Sequence, residues 1–293
     1  MQIRPRRSVL YMPGANTRAL AKAKSIAADA LILDLEDAVS PEAKESARQQ
    51  VAAAASGGGY GRRELIIRVN ALTSPWGEAD LAAGVAAAAD AILLPKVNGA
   101  GEILAAAERL ERLGAKTRLW AMIETPLAIL NLKEIAASSE RAGARLDCLV
   151  LGTNDLAKET GADLRADRQP ALYWLSAAVT AARAYSLDVL DGVYNDFKDL
   201  EGFRRECLQA RALGFDGKTL IHPEQVAAAN QVFAPAEHDV VLARKILAAF
   251  AKPENKGKGV ISVDGRMVEL LHATIAERTL AIAEAIQAMG SAP

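Results

Sequence analysis

Residues 30–35 (ALILDL) form an apolar run that predicts a buried β-strand. A helix-forming stretch follows at 42–55 (EAKESARQQVAAAA), and a second apolar run comes at 65–69 (LIIRV). Strand–helix–strand units of this length are typical of parallel sheets. The same alternation continues along the chain, with strands predicted at Ser8–Met12, Ala30–Leu35, Leu65–Val69, Ala91–Pro95, Leu119–Ile123, Cys148–Leu151, Asp188–Leu190 and Gly217–Ile221.

Each predicted strand is followed by a helical stretch. Eight such repeats favour a closed (β/α)₈ TIM barrel, because closure removes the two exposed edges that an open sheet would keep. A doubly wound open sheet is the alternative. The Gly57-Gly58-Gly59 run predicts a flexible connection and lacks the lysine of a phosphate loop. Helices are predicted, for example, at Thr17–Ala28, Glu42–Ala55, Glu78–Ala88, Gly101–Leu113, Pro170–Tyr185 and Asp196–Leu213.

The pattern changes near Pro235, so we expect a barrel domain over residues 1–234 and a C-terminal extension over 235–293. The extension is predicted to contain a helix at Ala236–Ala251 and an extended run at Gly259–Val263. A turn at Asp264-Gly265 and a last helix over Met267–Met289 complete it. Such a tail packs on its own barrel or reaches a neighbouring subunit.

Composition limits the classes of partner. The 293 residues are 51% hydrophobic and carry a formal charge of −1, which gives no electrostatic reason to expect nucleic acid or an anionic membrane as partner. Cys148 and Cys207 lie in apolar or amphipathic stretches and are expected to be buried free thiols. The apolar run at 8–12 is too short for a signal-peptide core, and no stretch approaches a membrane span. We therefore expect a cytoplasmic protein.

Charged residues follow the predicted strands where a barrel builds its active site, at the carboxyl ends. Charge in such a position is unfavourable unless it is paired or binds a metal. The strand ends carry Asp34-Leu35-Glu36-Asp37, Arg68-Val69-Asn70, Pro95-Lys96, Glu124-Thr125-Pro126, Gly152-Thr153-Asn154-Asp155 and His222-Pro223.

Glu124 and Asp155 follow consecutive strands, so their carboxylates can converge. Two carboxylates with water and substrate oxygens form the usual environment of Mg²⁺. No His or Cys arrangement typical of a zinc site competes with this reading. The alternative is that each carboxylate forms a salt bridge with an arginine, and spacing alone does not decide between the two.

Arg68 can bind the carboxylate of a substrate through two parallel hydrogen bonds. The alternative role is a structural salt bridge to Glu36 or Asp37. On an extended backbone Glu36 and Asp37 are expected to point in different directions, one toward Arg68 or metal-bound water and the other toward a loop. Lys96 could act as a Schiff-base nucleophile, but pairing with a carboxylate is the preferred expectation. For His222 a loop-fixing role competes with catalysis.

Seven segments in order closely resemble the citrate lyase beta-subunit-like proteins, which include malyl-CoA, methylmalyl-CoA and citramalyl-CoA lyases. The resemblance extends from residue 8 to about 289. It rests on Ser8-Val9-Leu10-Tyr11-Met12-Pro13-Gly14, Leu33-Asp34-Leu35-Glu36-Asp37-Ala38-Val39, Arg68-Val69-Asn70, Leu94-Pro95-Lys96, Ile123-Glu124-Thr125-Pro126, Gly152-Thr153-Asn154-Asp155-Leu156 and Ile221-His222-Pro223.

The resemblance implies a TIM barrel of the phosphoenolpyruvate/pyruvate-binding type that acts on a CoA thioester and a small oxo-acid. Glu124 and Asp155 would hold Mg²⁺, with Mn²⁺ as a substitute, and Arg68 would bind the oxo-acid. From their position at a strand end, Glu36 and Asp37 are also expected in the catalytic group. The residues expected to contact substrate or CoA are Pro13, Gly14, Arg18, Lys22, Asn154, His222 and Pro223.

The run Val263–Glu269 resembles the C-terminal lid of this family, in which a segment closes over the neighbour's site in a homotrimer or homohexamer. Family members carry Asp where this chain has Glu269; an ordinary first-turn helix acid is the alternative role. The implied reaction is Mg²⁺-dependent, reversible cleavage of a 3-hydroxyacyl-CoA such as (3S)-malyl-CoA, with Glu269 moving the proton. A malyl-CoA thioesterase, a citrate lyase beta subunit acting on a carrier-protein thioester, and a non-catalytic scaffold stay open.

Overall fold

The computed structural model describes residues 4–165 and 167–290, and its central element is a closed barrel of eight parallel strands. The first strand pairs with both the second and the eighth, which closes the sheet. The predicted TIM barrel is thus confirmed. Its strands are β1 (Ser8–Pro13), β2 (Ala30–Asp34), β3 (Glu64–Arg68), β4 (Ala91–Leu94), β5 (Arg118–Ile123), β6 (Leu146–Leu151), β7 (Asp188–Asp191) and β8 (Gly217–Leu220).

Helices connect successive strands, and short ones occur that the sequence did not predict. The helix predicted over Thr17–Ala28 ends at Ala23, because the Ser25 amide and hydroxyl both bond to the Lys22 carbonyl. The helices are α1 (Thr17–Ala23), α2 (Lys44–Ser56), α3 (Gly77–Ala86), α4 (Ala100–Arg112), α5 (Pro126–Leu130), α6 (Leu132–Ala137), α7 (Thr153–Thr160), α8 (Leu172–Ala184), α9 (Leu200–Leu213) and α10 (Gln225–Phe233).

Alternate residues of each strand form two separate cores. One set fills the barrel and includes Ile32, Ile66 and Met122, while the other packs against the helices. Side chains repeat every second residue along a strand. Residues two positions beyond the interior set, such as Asp34 and Arg68, therefore stand at the top of the barrel interior.

The opposite, N-terminal end of the barrel is closed by Arg6, which is 6% exposed. Its guanidinium bonds to Glu64 at 2.7 and 2.8 Å, to Asp147 at 2.5 Å and to Asp188 at 2.8 Å. It also lies over the Trp120 ring, 4.7 Å from the centroid. This end is filled by an ion cluster, which leaves the carboxyl ends of the strands for ligands.

By contact density the chain separates into two compact units, Arg6–Phe233 and a C-terminal unit that contains residues 234–290. The C-terminal unit consists of α11 (Glu237–Phe250), an antiparallel pair β9 (Val260–Val263) and β10 (Arg266–Glu269), and α12 (Leu270–Gly290). The helix predicted from Met267 is wrong for its first three residues, which belong to β10. Asp264 and Gly265 both have positive φ, as a two-residue hairpin turn requires, and this continues the extended chain past the turn.

Two further expectations can be compared with the described residues. Cys148 and Cys207 are buried free thiols, as predicted. Within the ranges 4–165 and 167–290, no helix is both long and apolar enough to traverse a bilayer.

Candidate active site

Arg68 ends β3 and is fixed at the mouth of the barrel by Asp34, which ends β2. The two residues are register partners in adjacent strands, and both point inward. Arg68 Nε donates to Asp34 Oδ1 at 2.7 Å, and Nη2 donates to Oδ2 at 2.6 Å. Both side chains are buried. Asp34 was predicted at a strand end, but its pairing with Arg68 was not predicted from the sequence.

The segment after β2, residues 34–38, forms an acidic turn. The Asp34 carboxylate accepts hydrogen bonds from the Glu36 and Ala38 amides at 2.9 and 3.2 Å, so the chain bends away from the strand. Glu36 then lies 2.9 Å from Arg68 Nη1, and Asp37 lies 3.6 Å from the same atom. The expectation that Glu36 and Asp37 point in different directions is wrong, because strand alternation ends at Asp34.

The pKa values of Glu36 and Asp37 in the acidic turn are shifted in opposite directions. Burial raises the pKa of Glu36, although Arg68 and Lys96 oppose this shift. Burial opposes ionisation of Asp37 as well, but its hydrogen bond with Glu36 and the charge of Arg68 lower its pKa overall. Asp37 is the more exposed of the two and is the carboxylate of the turn that meets solvent.

Lys96 follows β4 and links the acidic turn to Glu124. Its ammonium donates to Glu36 Oε1 at 2.8 Å, so the predicted pairing with a carboxylate is confirmed. Its backbone N–H donates to Glu124 Oε1 at 2.7 Å. Lys96 has a φ of +50°, a left-handed conformation that is unfavourable by about 1–2 kcal/mol for a residue with a Cβ. Strain of this kind concentrates at functional sites.

Glu124 follows β5 and has one carboxylate oxygen without a partner. The residue is 1% exposed, and Oε2 has no hydrogen-bond partner among the described residues. Burial raises the pKa of Glu124 to about 7. A Cβ on Gly152 would lie 2.3 Å from Glu124 Cβ and 2.7 Å from Oε2, so the carboxylate rests against Gly152. A buried carboxylate oxygen without a donor is a natural cation ligand.

Asp155 lies in the first turn of α7, three residues after Gly152. It is half-buried, and no described residue donates to its carboxylate or forms an ion pair with it. The salt-bridge alternative is therefore not observed for Glu124 or Asp155 in the described parts of the chain. Those parts contain no cluster of three or more His, Cys, Asp or Glu side chains suited to a metal. Two carboxylates with open coordination fit Mg²⁺, which keeps several waters.

Carboxyl groups outnumber cationic side chains around the mouth by five to three, and burial raises the pKa of two of the five, Glu36 and Glu124. The carboxylates are Asp34, Glu36, Asp37, Glu124 and Asp155, and the cations are Arg68, Lys96 and Lys44.

Tyr11, on the interior face of β1, supports Arg68 and was given no role in the sequence analysis. The Arg68 guanidinium lies over its ring at 5.0 Å from the centroid, which is a cation–π contact. Its hydroxyl lies 3.4 Å from the sulfur of Met122. Burial raises the pKa of Tyr11, so it stays neutral.

The residues expected to bind CoA occupy different environments. Gly14 is packed tightly, since a Cβ there would lie 2.4 Å from the Asp34 carbonyl oxygen. This packing accounts for a glycine at position 14, and no contact with CoA is needed to explain it. Pro13 ends β1 and is half-buried. Arg18 and Lys22 are exposed and four residues apart on α1. No described contact links either of them to the acidic turn.

Three further predicted residues stabilise loops at the mouth. Asn154 and Asn195 exchange side-chain amide hydrogen bonds at 3.1 and 2.8 Å. They line a cleft of about 740 Å³ beside α7. His222 stacks on Phe197 with a centroid distance of 4.5 Å and accepts from the Glu224 amide, which matches the loop-fixing role. Pro223 follows it and is half-buried.

A buried ion cluster on the outer face of β7 and β8 had no signal in the sequence. Lys218 is fully buried and lies 2.6 Å from both Asp191 and Glu206. Arg168 completes the cluster at 2.8 Å from Asp191. Its members lie between the barrel and α9, and Arg168 and Glu206 also line the cleft beside α7.

Glu269 belongs to the C-terminal unit, where it ends β10 and is exposed. Its amide donates to His272 Nδ1 at 3.0 Å. The alternative role as a first-turn helix acid does not apply, because α12 begins at Leu270.

The chain is similar to proteins of the aldolase and citrate lyase family and to relatives named for CoA thioesters. The family model described as HpcH/HpaI aldolase/citrate lyase matches residues 7–223. A (3S)-malyl-CoA thioesterase of Cereibacter sphaeroides ATCC 17023 is 50% identical over 287 residues, covering 98% of each chain. The citrate lyase subunit beta of Escherichia coli K12 is 37% identical, covering 91% of this chain and 89% of that protein.

More distant relatives share the same architecture. Mitochondrial citramalyl-CoA lyase of Rattus norvegicus is 32% identical and covers 97% of this chain and 87% of that protein. The crystal structure of CitE from Mycobacterium tuberculosis in complex with magnesium, acetoacetate and coenzyme A superposes with a TM-score of 0.72. It is 28% identical, covering 96% of this chain and 98% of that one.

Proposed function

Since the chain belongs to the HpcH/HpaI aldolase/citrate lyase family, we propose that it hydrolyses the thioester of (3S)-malyl-CoA with the help of a divalent cation. The observation that carries the proposal is the unpartnered, buried Oε2 of Glu124 beside the fixed guanidinium of Arg68. The reaction is taken from the 50% identical relative, whose match covers nearly all of both chains.

Arg68 would bind the free carboxylate of the malyl group. An arginine carries five N–H donors. Asp34 accepts from two of them, and Glu36 is an ion-pair partner of Nη1 at 2.9 Å, so further N–H donors of the guanidinium remain for a ligand. The fork with Asp34 and the Tyr11 ring hold the guanidinium in place before the substrate arrives, which lowers the entropy lost on binding.

Glu124 and Asp155 would hold the cation, which would supply Lewis-acid polarisation of substrate oxygens. The raised pKa of Glu124 suits this role, since a cation would replace the proton that burial favours. Lys96 keeps Glu124 Oε1 occupied through its amide and so directs Oε2 to the ligand side. Mg²⁺ is preferred, and Mn²⁺ is expected to substitute for it.

Proton transfer is assigned to Glu269 and the acidic turn. In the homotrimer or homohexamer that the resemblance implies, the C-terminal segment closes over a neighbour's barrel, and Glu269 would then stand at that mouth. There its carboxylate would take a proton from the water that attacks the thioester carbonyl. The carbon–sulfur bond would then break, and the CoA thiolate would leave and take up that proton, which gives malate and free CoA. Asp37, ionised and open to solvent, would accept hydrogen bonds from water in the same mouth.

Carbon–carbon cleavage is the second candidate. The citramalyl-CoA lyase relative favours it, and the same residues would serve it. Glu269 would take the proton of the 3-hydroxyl, the bond between C2 and C3 would break to give an oxo-acid such as glyoxylate bound by Arg68, and Glu269 would return the proton to the acyl-CoA enolate. Hydrolysis and cleavage differ in which carbonyl reacts, and the described side chains do not distinguish them.

Product analysis separates the two reactions. Purified protein would be incubated with (3S)-malyl-CoA and Mg²⁺, with and without EDTA, and the products separated by chromatography. Free CoA with malate, lost on chelation, is the expected result. Acetyl-CoA with glyoxylate would replace the proposal by the lyase. No metal-dependent turnover of malyl-, methylmalyl- or citramalyl-CoA would overturn both.

Three variants accompany this experiment, two at proposed functional residues and one as a control. Glu124→Gln keeps an acceptor for the Lys96 amide but removes the charge, and we expect turnover to fall by at least about 100-fold. Glu45→Gln removes an exposed carboxylate from α2 and should behave as the unmodified protein. Glu269→Gln should lower kcat while Mg²⁺ binding stays unchanged.

A further inference from the structure

Lys44 is a buried lysine whose ammonium has no carboxylate partner. The residue is 6% exposed, and its Nζ donates to the backbone carbonyls of Leu35 at 2.9 Å and Glu36 at 2.7 Å. No described carboxylate forms an ion pair with it. Its ammonium also lies over the Trp76 ring, 5.6 Å from the centroid. Burial of an ammonium in such a setting is unfavourable and lowers the pKa of Lys44.

The position of Lys44 in its own helix adds to this unfavourable setting. It is the first residue of α2, at the N-terminal end, where the helix dipole disfavours a positive charge. Neither helix stability nor a salt bridge therefore explains a lysine at this position. The two hydrogen bonds of its ammonium do, and both are made to carbonyl groups of the acidic turn.

Those two carbonyls belong to the peptide groups on either side of the Glu36 Cα. The Leu35 carbonyl lies in the peptide before Glu36, and the Glu36 carbonyl lies in the peptide after it. Fixing both peptide planes fixes both backbone dihedrals of Glu36. Its side chain is then directed to Arg68 and Lys96, at 2.9 and 2.8 Å.

We propose that Lys44 is a positioning residue. By bonding to the Leu35 and Glu36 carbonyls it fixes the backbone of the acidic turn, and this orients the Glu36 carboxylate toward Arg68 and Lys96. The charge of Lys44 also offsets the repulsion among Asp34, Glu36 and Asp37, which all lie near it. Asn70 assists by donating to the Leu35 carbonyl at 2.9 Å. Lys44 acts through the backbone and does not touch the substrate. The catalytic part of this inference rests on the proposed function.

The test compares Lys44→Met, Lys44→Arg and the control Lys24→Met. Methionine matches the length of lysine but donates no hydrogen bond, whereas arginine keeps the charge. Lys24 is exposed and also lies over an aromatic ring, that of Tyr60 at 5.3 Å, so it matches Lys44 without the carbonyl contacts. Steady-state kinetics with (3S)-malyl-CoA would be measured well below each variant's Tm.

In Lys44→Met we expect kcat to fall by about tenfold to 100-fold. KM should stay within about twofold, because Asp34 still holds Arg68. Lys44→Arg should recover part of the loss, and Lys24→Met should change nothing. An unchanged kcat in Lys44→Met, with or without a lower Tm, would overturn the proposal.

A second measurement does not depend on the reaction. Hydrogen exchange by mass spectrometry reports on the amides of Glu36, Asp37 and Ala38, which donate within the acidic turn. We expect them to exchange at least about tenfold faster in Lys44→Met, while segments of β5 and β6 keep their protection. Unchanged exchange in the turn would overturn the positioning role even if malyl-CoA is not the substrate. Faster exchange in a protein inactive on every CoA ester would support it while the proposed function fails.

Discussion

Arg68 and Asp34 face each other across neighbouring strands of the barrel, joined by two hydrogen bonds of 2.7 and 2.6 Å. Each is the last residue of its strand, and each lies two positions beyond an interior apolar residue. The pair is buried, so removal of one member leaves the other charge without its partner. Asp34 also anchors the acidic turn through two amides. One carboxylate thus sets the position of both the guanidinium and the turn.

Asp34→Asn should lower substrate affinity and stability together. Asparagine keeps one acceptor but presents an NH₂ group to Arg68, so the fork is lost. We expect KM for (3S)-malyl-CoA to rise by at least about tenfold and the free energy of unfolding to fall by about 3 kcal/mol. Denaturant unfolding and steady-state kinetics would measure both.

The matched control for that variant is Asp163→Asn. Asp163 forms the same kind of fork with Arg165, at 2.9 and 2.7 Å, but on the surface. Water screens this pair, so KM and Tm should not change. Equal effects of the two substitutions would contradict a special role for Asp34.

Glu124 should make stability depend on pH and on metal. Burial raises the pKa of the Glu124 carboxyl from 4.5 to about 7 in the folded protein. Protonated Glu124 therefore stabilises the folded state below pH 4.5, the pKa of the unfolded chain, and this stabilisation is lost as the pH rises through 7. Without metal, Glu124→Gln should gain Tm relative to the unmodified protein at pH 8 and not at pH 4.5.

Added Mg²⁺ should reverse that order at pH 8, because the cation stabilises the ionised carboxylate of the unmodified protein only. The measurement is Tm at both pH values, with and without Mg²⁺. A Mg²⁺-induced rise in Tm that is the same in Glu124→Gln would argue against Glu124 as a ligand.

Gly152→Ala should displace the Glu124 carboxylate. The new Cβ would lie 2.3 Å from Glu124 Cβ, closer than real atoms approach, so the side chain must move. We expect Mg²⁺ affinity, measured by calorimetry, to fall by at least about tenfold. Gly101→Ala is the control, since a Cβ there meets no atom within 4 Å and α4 should gain about 1 kcal/mol of stability.

Arg6→Met should separate stability from activity. It leaves Glu64, Asp147 and Asp188 without their shared cation at the closed end of the barrel. We expect the free energy of unfolding to fall by about 3–5 kcal/mol, with Mg²⁺ affinity unchanged at low temperature. Arg109→Met, which breaks a more exposed pair with Glu78, should lower it by about 0–1 kcal/mol. A loss of metal affinity in Arg6→Met would show that the two ends of the barrel are coupled.

The strands and their order could be predicted from the sequence because each is a short apolar run followed by a helix, as at 30–35 and 42–55. The strand ends then named Arg68, Glu124, Asp155, Glu36 and Lys96 as the charged group of the mouth, and the pairing of Lys96 with a carboxylate was confirmed. Residues Met267–Glu269 were assigned to a helix because their pattern is too short to show alternation. The hairpin turn before them decides the conformation.

The sequence by itself determined the alternation of strands and helices and which strands carry charge to one end, since apolar periodicity and chain order are local properties. The pairing of β1 with β8, which closes the barrel and excludes the open sheet, is a tertiary contact. The sequence could not determine which side chains meet. Barrel strands are apolar on both faces, so a run such as ALILDL does not reveal that Asp34 points inward. Register then decides that Asp34 meets Arg68. The same holds for Lys44, nine residues from Leu35, whose ammonium reaches the acidic turn only because α2 packs beside β2. Tertiary structure alone supplies such contacts, because they join groups whose separation is set by packing.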